Sequence, residues 1–97
     1  MKTIIFQSGV TSDNKKVISG IYKMFESHGI PLDVIFSLLK ERNIIPDWIN
    51  LYRDCRRSGM GHDRIISKLE EAINDSYGKE FGIQVIYNLN LIFKGTI

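Results

Sequence analysis

From residue 81 onward the chain alternates. Phe81, Ile83, Val85, Tyr87, Leu89, Leu91 and Phe93 are apolar, with Gly82, Gln84, Ile86, Asn88, Asn90, Ile92 and Lys94 interleaved. A side-chain period of two is the signature of a strand, because successive side chains point to opposite faces. A helical grouping of Phe81, Val85, Leu89 and Ile92 exists, but it leaves Ile83, Tyr87 and Leu91 unplaced. The alternation therefore predicts a strand. The run from Phe81 to Phe93 is longer than an ordinary strand, so a hairpin turning near Asn88-Leu89-Asn90 is preferred to one straight strand. Its odd-numbered side is expected to be buried. Ile86 and Ile92 on the other side, with Ile5, would form a modest apolar patch of the kind that meets partners.

Upstream the pattern is different. Thr3–Gln7 reads as a short strand, broken by Ser8-Gly9. Thr11, Ser12 and Asp13 are good helix N-caps, and Val17, Ile18, Ile21, Tyr22, Met24 and Phe25 follow at helical spacing, with Gly29 as the stop. Pro31 opens a second helix carrying Leu32, Ile35, Phe36 and Leu39 on one face, with Asn43 as a C-cap. Pro46 opens a third, where Asp47 complements the dipole and Trp48, Leu51, Tyr52 and Cys55 form the stripe, ended by Gly59. A fourth starts near Gly61–Asp63, buries Ile65, Ile66, Leu69, Ala72 and Ile73, and closes at Tyr77-Gly78. Trp48, Leu39, Phe36, Ile66 and Leu69 are the expected centre of the core.

These segments predict an α+β fold. Four helices pack on one face of a small antiparallel sheet, formed by the N-terminal strand and the C-terminal strand or hairpin. A length of 97 residues fits one domain, residues 1–97. Exposed sheet edges invite pairing with another chain, so a homodimer through a sheet edge is an expectation of this architecture.

Composition removes several classes of function. The chain is 43% apolar and 25% charged, which is globular and not disordered. A net charge of +2 supports neither a polybasic tail nor an acidic mimic of nucleic acid. One cysteine excludes an internal disulfide framework and a cysteine-rich zinc module. After Met1-Lys2-Thr3 only Ile4, Ile5 and Phe6 are apolar, too few for a signal peptide, and no run is long enough to span a bilayer. A cytoplasmic location without membrane contact is expected.

Catalytic residues are not evident. Cys55 lies on an apolar stripe and reads as a small buried hydrophobe. His28 and His62 lack a second ligand at metal spacing, so no metal site is expected. No glycine-rich phosphate loop follows a strand, and no cofactor is implied. Asp33, Asp47, Asp54, Glu70 and Glu71 fall on polar faces, and nothing singles out a catalytic pair.

One stretch stands out, Arg53 to Arg64. It places Arg53, Arg56, Arg57, Gly59, Gly61, His62 and Arg64 around a glycine-rich turn, with Lys68 one helical turn further on. Unpaired N–H groups at a helix start with guanidinium nearby can hold an anion. The plain alternative is arginine complementing a helix C-terminus beside a solvated loop; Asp54 and Asp63 also dilute the charge. The same stretch permits a helix-turn-helix. In it His62, Arg64, Ser67, Lys68, Glu71 and Asn74 would face a groove, Arg56, Arg57, Lys15 and Lys16 would meet phosphates, and the hairpin would serve as a wing.

The expectation drawn from these residues is a non-enzymatic protein-binding module or inhibitor-like regulator. It would act through the arginine-rich helix turn and an open sheet face on a protein partner. Small chains without motifs are common among accessory proteins of phages and mobile elements, an analogy of size alone. The alternative is a helix-turn-helix regulator that binds nucleic acid. A weaker alternative is a binder of small anions or nucleotides.

Overall fold

The computed structural model describes residues 9–10 and 15–95. Strand β1 is Gly9–Val10 and strand β2 is Lys16–Ile18. Helices α1 (Ile21–His28) and α2 (Leu32–Glu41) lead to strand β3 (Ile44–Pro46). Helices α3 (Trp48–Arg57), α4 (His62–Ser76) and α5 (Lys79–Phe93) complete the order. The expected strand at Thr3–Gln7, the caps at Thr11–Asp13 and Ile5 lie outside the described residues.

Helix and strand are mixed, so the fold is α+β in the coarse sense, but two expectations are corrected. The sheet is not an antiparallel pairing of the chain ends. β2 runs parallel to β3, with Val17 opposite Ile45, and β1 adds two residues antiparallel to β2. A parallel pair needs a long crossover, and α1 with α2 supplies it. Val17 and Ile18 therefore belong to a strand, not to the first helix. Gly20, at φ 85°, breaks the backbone between them and Ile21.

The second correction concerns the tail. Residues 79–93 form α5, so among the described residues there are five helices and no C-terminal strand or hairpin. Gly82, Val85, Ile86 and Leu89 are its buried residues, at the spacing of one helix face. Ile83, Tyr87 and Phe93 are 58%, 63% and 51% exposed, so the odd-numbered side is not a buried face. Ile86 is buried and Ile92 packs against the core, so neither forms an open patch.

α4 and α5 pack closely as a hairpin. At its bend Gly78 sits at φ 101°, a left-handed conformation that L side chains rarely adopt. Its N–H donates to the Ile73 carbonyl at 3.1 Å. Further along, a Cβ at Gly82 would collide with Asn74 Oδ1, so any side chain there must displace the Asn74 carboxamide.

The core centres on Trp48, which is fully buried. Phe36 and Tyr77 meet its ring edge-on at centroid distances of 5.4 and 6.0 Å, and Phe81 tilts against it at 5.9 Å. Leu39 and Leu69 are buried as expected, whereas Ile66 is half-buried at the margin. Tyr77 Oη donates to the Ile44 carbonyl at 2.8 Å, tying the end of α4 to the sheet. Asp47 is buried rather than on a polar face: as N-cap of α3 its carboxylate accepts from the Asn50 N–H at 3.1 Å. No helix among the described residues is long and apolar enough to cross a membrane.

Candidate functional site

The arginine-rich stretch spans the end of α3, a four-residue turn and the start of α4. On α3 the positions 53, 56 and 57 share one helix face by spacing, and all three arginines are exposed. Lying at the C-terminus, Arg56 and Arg57 complement the negative end of the helix dipole. Arg57 also pairs with Asp54 at 3.4 Å. Being three residues apart on an exposed surface, that pair adds well under 1 kcal/mol.

The turn is built from its own backbone. Ser58 Oγ donates to the Cys55 carbonyl at 2.6 Å, and the Met60 N–H donates to the same oxygen at 3.2 Å. Gly59 takes φ 101° to reverse the chain, and Gly61 is the N-cap of α4. Both glycines are exposed.

His62 is placed differently from the expectation that it faces a groove. Its Nε2 lies 2.7 Å from Asn90 Oδ1 and its Nδ1 lies 2.8 Å from Tyr52 Oη. A carboxamide oxygen only accepts, so Nε2 carries the hydrogen, and in the neutral ring Nδ1 accepts from the tyrosine hydroxyl. The imidazole stacks on the Phe93 ring at 3.8 Å and 10°. The Arg56 guanidinium carbon lies 5.5 Å from the centroid of that same phenyl ring. Arg56, Phe93 and His62 thus form one assembly, anchored by Tyr52 on α3 and Asn90 on α5. Burial pushes the Tyr52 hydroxyl pKa up, with the nearby Arg56 charge opposing it.

The remaining predicted residues stand apart from this assembly. Arg64 is exposed on the first turn of α4. Lys68, one turn on, holds its Nζ 5.6 Å from the Phe25 ring centroid. It lines a groove of about 230 Å³ between α2 and α4 together with Phe25, Asp33, Glu71 and Asp75. The exposed side of α4 carries Asp63, Glu70, Glu71 and Asp75 against Arg64 and Lys68, so it is more acidic than the exposed side of α3. The C-terminal wing expected of that motif is helix α5.

Cys55 is buried, and burial with the nearby Asp54 charge pushes its thiol up to about 11. At neutral pH it is a protonated thiol, the form that does not attack or bind metal. Among the described residues no three histidine, cysteine, aspartate or glutamate side chains are grouped to hold a metal ion.

Asn90 and Phe93 are not among the site residues expected from the sequence, which places Phe93 on a buried strand face and Asn90 in a hairpin turn. Their signal was hidden by the strand reading of the tail; on a helix, residues 90 and 93 share a side. No family matches this chain, and no curated protein or solved structure matches it either.

Proposed function

We propose that this chain is a small binding module that recognises a protein partner through the arginine-bearing end of α3, the turn after it and the end of α5. It acts by binding and not by catalysis. The observation that carries the reading is the Arg56–Phe93–His62 stack. Arginine and aromatic side chains dominate the energetics of protein interfaces when they are held in place before binding. Here an exposed guanidinium lies over a half-exposed phenyl ring, and that ring is stacked on an imidazole that has both nitrogens engaged. Arg53 and Arg57 are exposed on the same face of α3 as Arg56, so the matching partner surface carries carboxylates around an apolar contact. The open sheet face of the original expectation drops out, because the tail that would have formed it is α5.

Nucleic-acid binding is the second reading, favoured by the helix, four-residue turn and helix of α3 and α4. The engaged ring nitrogens of His62 and the acidic outer side of α4 weigh against it.

Affinity capture from lysate with the wild type, Arg56→Glu/Arg57→Glu and the remote control Lys40→Glu tests the proposal. It expects a protein held by the wild type and the control and lost by the double variant. Equal capture by all three overturns it. A salt-dependent mobility shift with duplex DNA, lost in the same double variant, transfers the surface to the second reading.

A further inference from the structure

The outer side of α5 presents an apolar stripe with a charge at each end. Ile83 and Tyr87 are 58% and 63% exposed, and Leu91, half-buried, continues their line one turn further on. Exposed Glu80 sits in the first turn of the helix, and exposed Lys94 caps its end. At 100° per residue these five side chains fall within one sector, opposite the buried sector of Gly82, Val85, Ile86 and Leu89.

The stripe is symmetric about Tyr87. Ile83 and Leu91 lie four residues to either side of it, and Glu80 and Lys94 lie seven to either side. We infer that this face pairs with a second copy of itself, with the two α5 helices antiparallel about a two-fold axis through Tyr87. Residue i then faces residue j and j faces i, as a two-fold interface requires. Tyr87 meets the second copy's Tyr87, each Ile83 meets a Leu91, and each Glu80 meets a Lys94. Reversing the helix brings the acidic end of one onto the basic end of the other twice. A parallel pairing would instead set glutamate on glutamate and lysine on lysine. The charge order along the stripe thus selects both the occupant and its direction.

A contact made by one helix pair is small, so the dimer belongs to the weak, concentration-dependent class. It meets the arginine surface only at the end of α5, where Leu91 and Lys94 belong to the stripe and Phe93 to the stack; α3 and the start of α4 carry none of the stripe. A helix of 15 residues is about 22 Å long, and the antiparallel arrangement sets the two arginine surfaces toward opposite ends.

Sedimentation equilibrium on the purified chain, from about 1 to about 200 µM, tests this in the range of weak association. The mass should climb from that of one 11.2 kDa chain toward twice that value. Tyr87→Glu, which places two carboxylates on the axis, should stay at one chain mass with an unchanged circular dichroism spectrum. Glu80→Lys or Lys94→Glu alone should weaken association roughly tenfold, and the two together should restore it. Oxidation of Tyr87→Cys should give a covalent dimer, whereas Ile83→Cys should not, since the two copies of residue 83 lie far apart along the axis. Cys55 is buried and does not confuse that readout. One chain mass at every concentration overturns the inference. So does a dimer indifferent to Tyr87→Glu, which would place the contact elsewhere, for example at a sheet edge. Failure of the double charge reversal to restore association also overturns it.

Discussion

His62 Nε2 lies 2.7 Å from Asn90 Oδ1, so the first residue of α4 is bonded to the last turn of α5. The two helices are joined at their other ends by the bend at Gly78. The bond therefore closes the open end of a helix hairpin and fixes Phe93 beside Arg56. Asn90→Ala removes the acceptor and leaves a half-buried imidazole N–H without a partner. It should cost about 1–2 kcal/mol in urea unfolding. It should also raise hydrogen exchange in the last turn of α5 before that of the remaining helices. An unchanged midpoint would contradict the closing role.

Leu89 and Ile83 separate the helix from the strand directly. In an alternating strand both side chains would point the same way. In α5 Leu89 is fully buried and Ile83 is 58% exposed. Leu89→Ala should cost about 2–5 kcal/mol, and Ile83→Ala, measured at low concentration, should stay within about 0.5 kcal/mol. Equal costs would favour the strand.

The reasons for that misreading are physical. The ends of the helices are written in residues with special backbone freedom: Gly29 at φ 65°, Asn43 at φ 60°, Gly59 at φ 101° and Gly78 at φ 101°. Those punctuation marks were legible without tertiary information. The tail was not, because Ile83, Tyr87 and Phe93 are apolar on the solvent side and complete an alternation that burial does not enforce. Val17 and Ile18 misled for the converse reason: they are followed at helical spacing by Ile21 and Tyr22, and only the Gly20 conformation marks the break. The arginines were legible from composition. The partners of His62 were not, since Tyr52 and Asn90 are 10 and 28 residues away along the chain.

Cys55 gives a pH-dependent prediction. Its thiol is pushed up from 9.0 to about 11 in the folded chain. The folded state therefore holds the proton more tightly than the unfolded state, and stability falls as pH rises from about 9 to about 11. Below 9 the contribution is fully present. Urea midpoints should fall across that window more steeply in the wild type than in Cys55→Ala. Ellman's reagent at pH 8 should label the thiol only as fast as the chain opens. Immediate labelling of the folded protein would contradict the buried placement.

Gly82 and Asn74 should be coupled. Alanine at Gly82 gains about 1 kcal/mol of helix propensity, but its Cβ would collide with Asn74 Oδ1. That oxygen is itself buried without a hydrogen-bond partner. Gly82→Ala should destabilise the wild type and stabilise an Asn74→Ala background. A double-mutant cycle by thermal unfolding reads the difference. Additive effects would show that displacing the Asn74 carboxamide costs nothing.

The central claim is that a protein partner is met by the arginine end of α3 and the stack beside it. Hydrogen exchange of the chain, with and without its captured partner, tests it most directly. Slowed exchange should cover residues 53–64 and the last turn of α5, and it should vanish with Arg56→Glu/Arg57→Glu. Protection confined to α2 or to the strands, with residues 53–64 unchanged, would contradict the account.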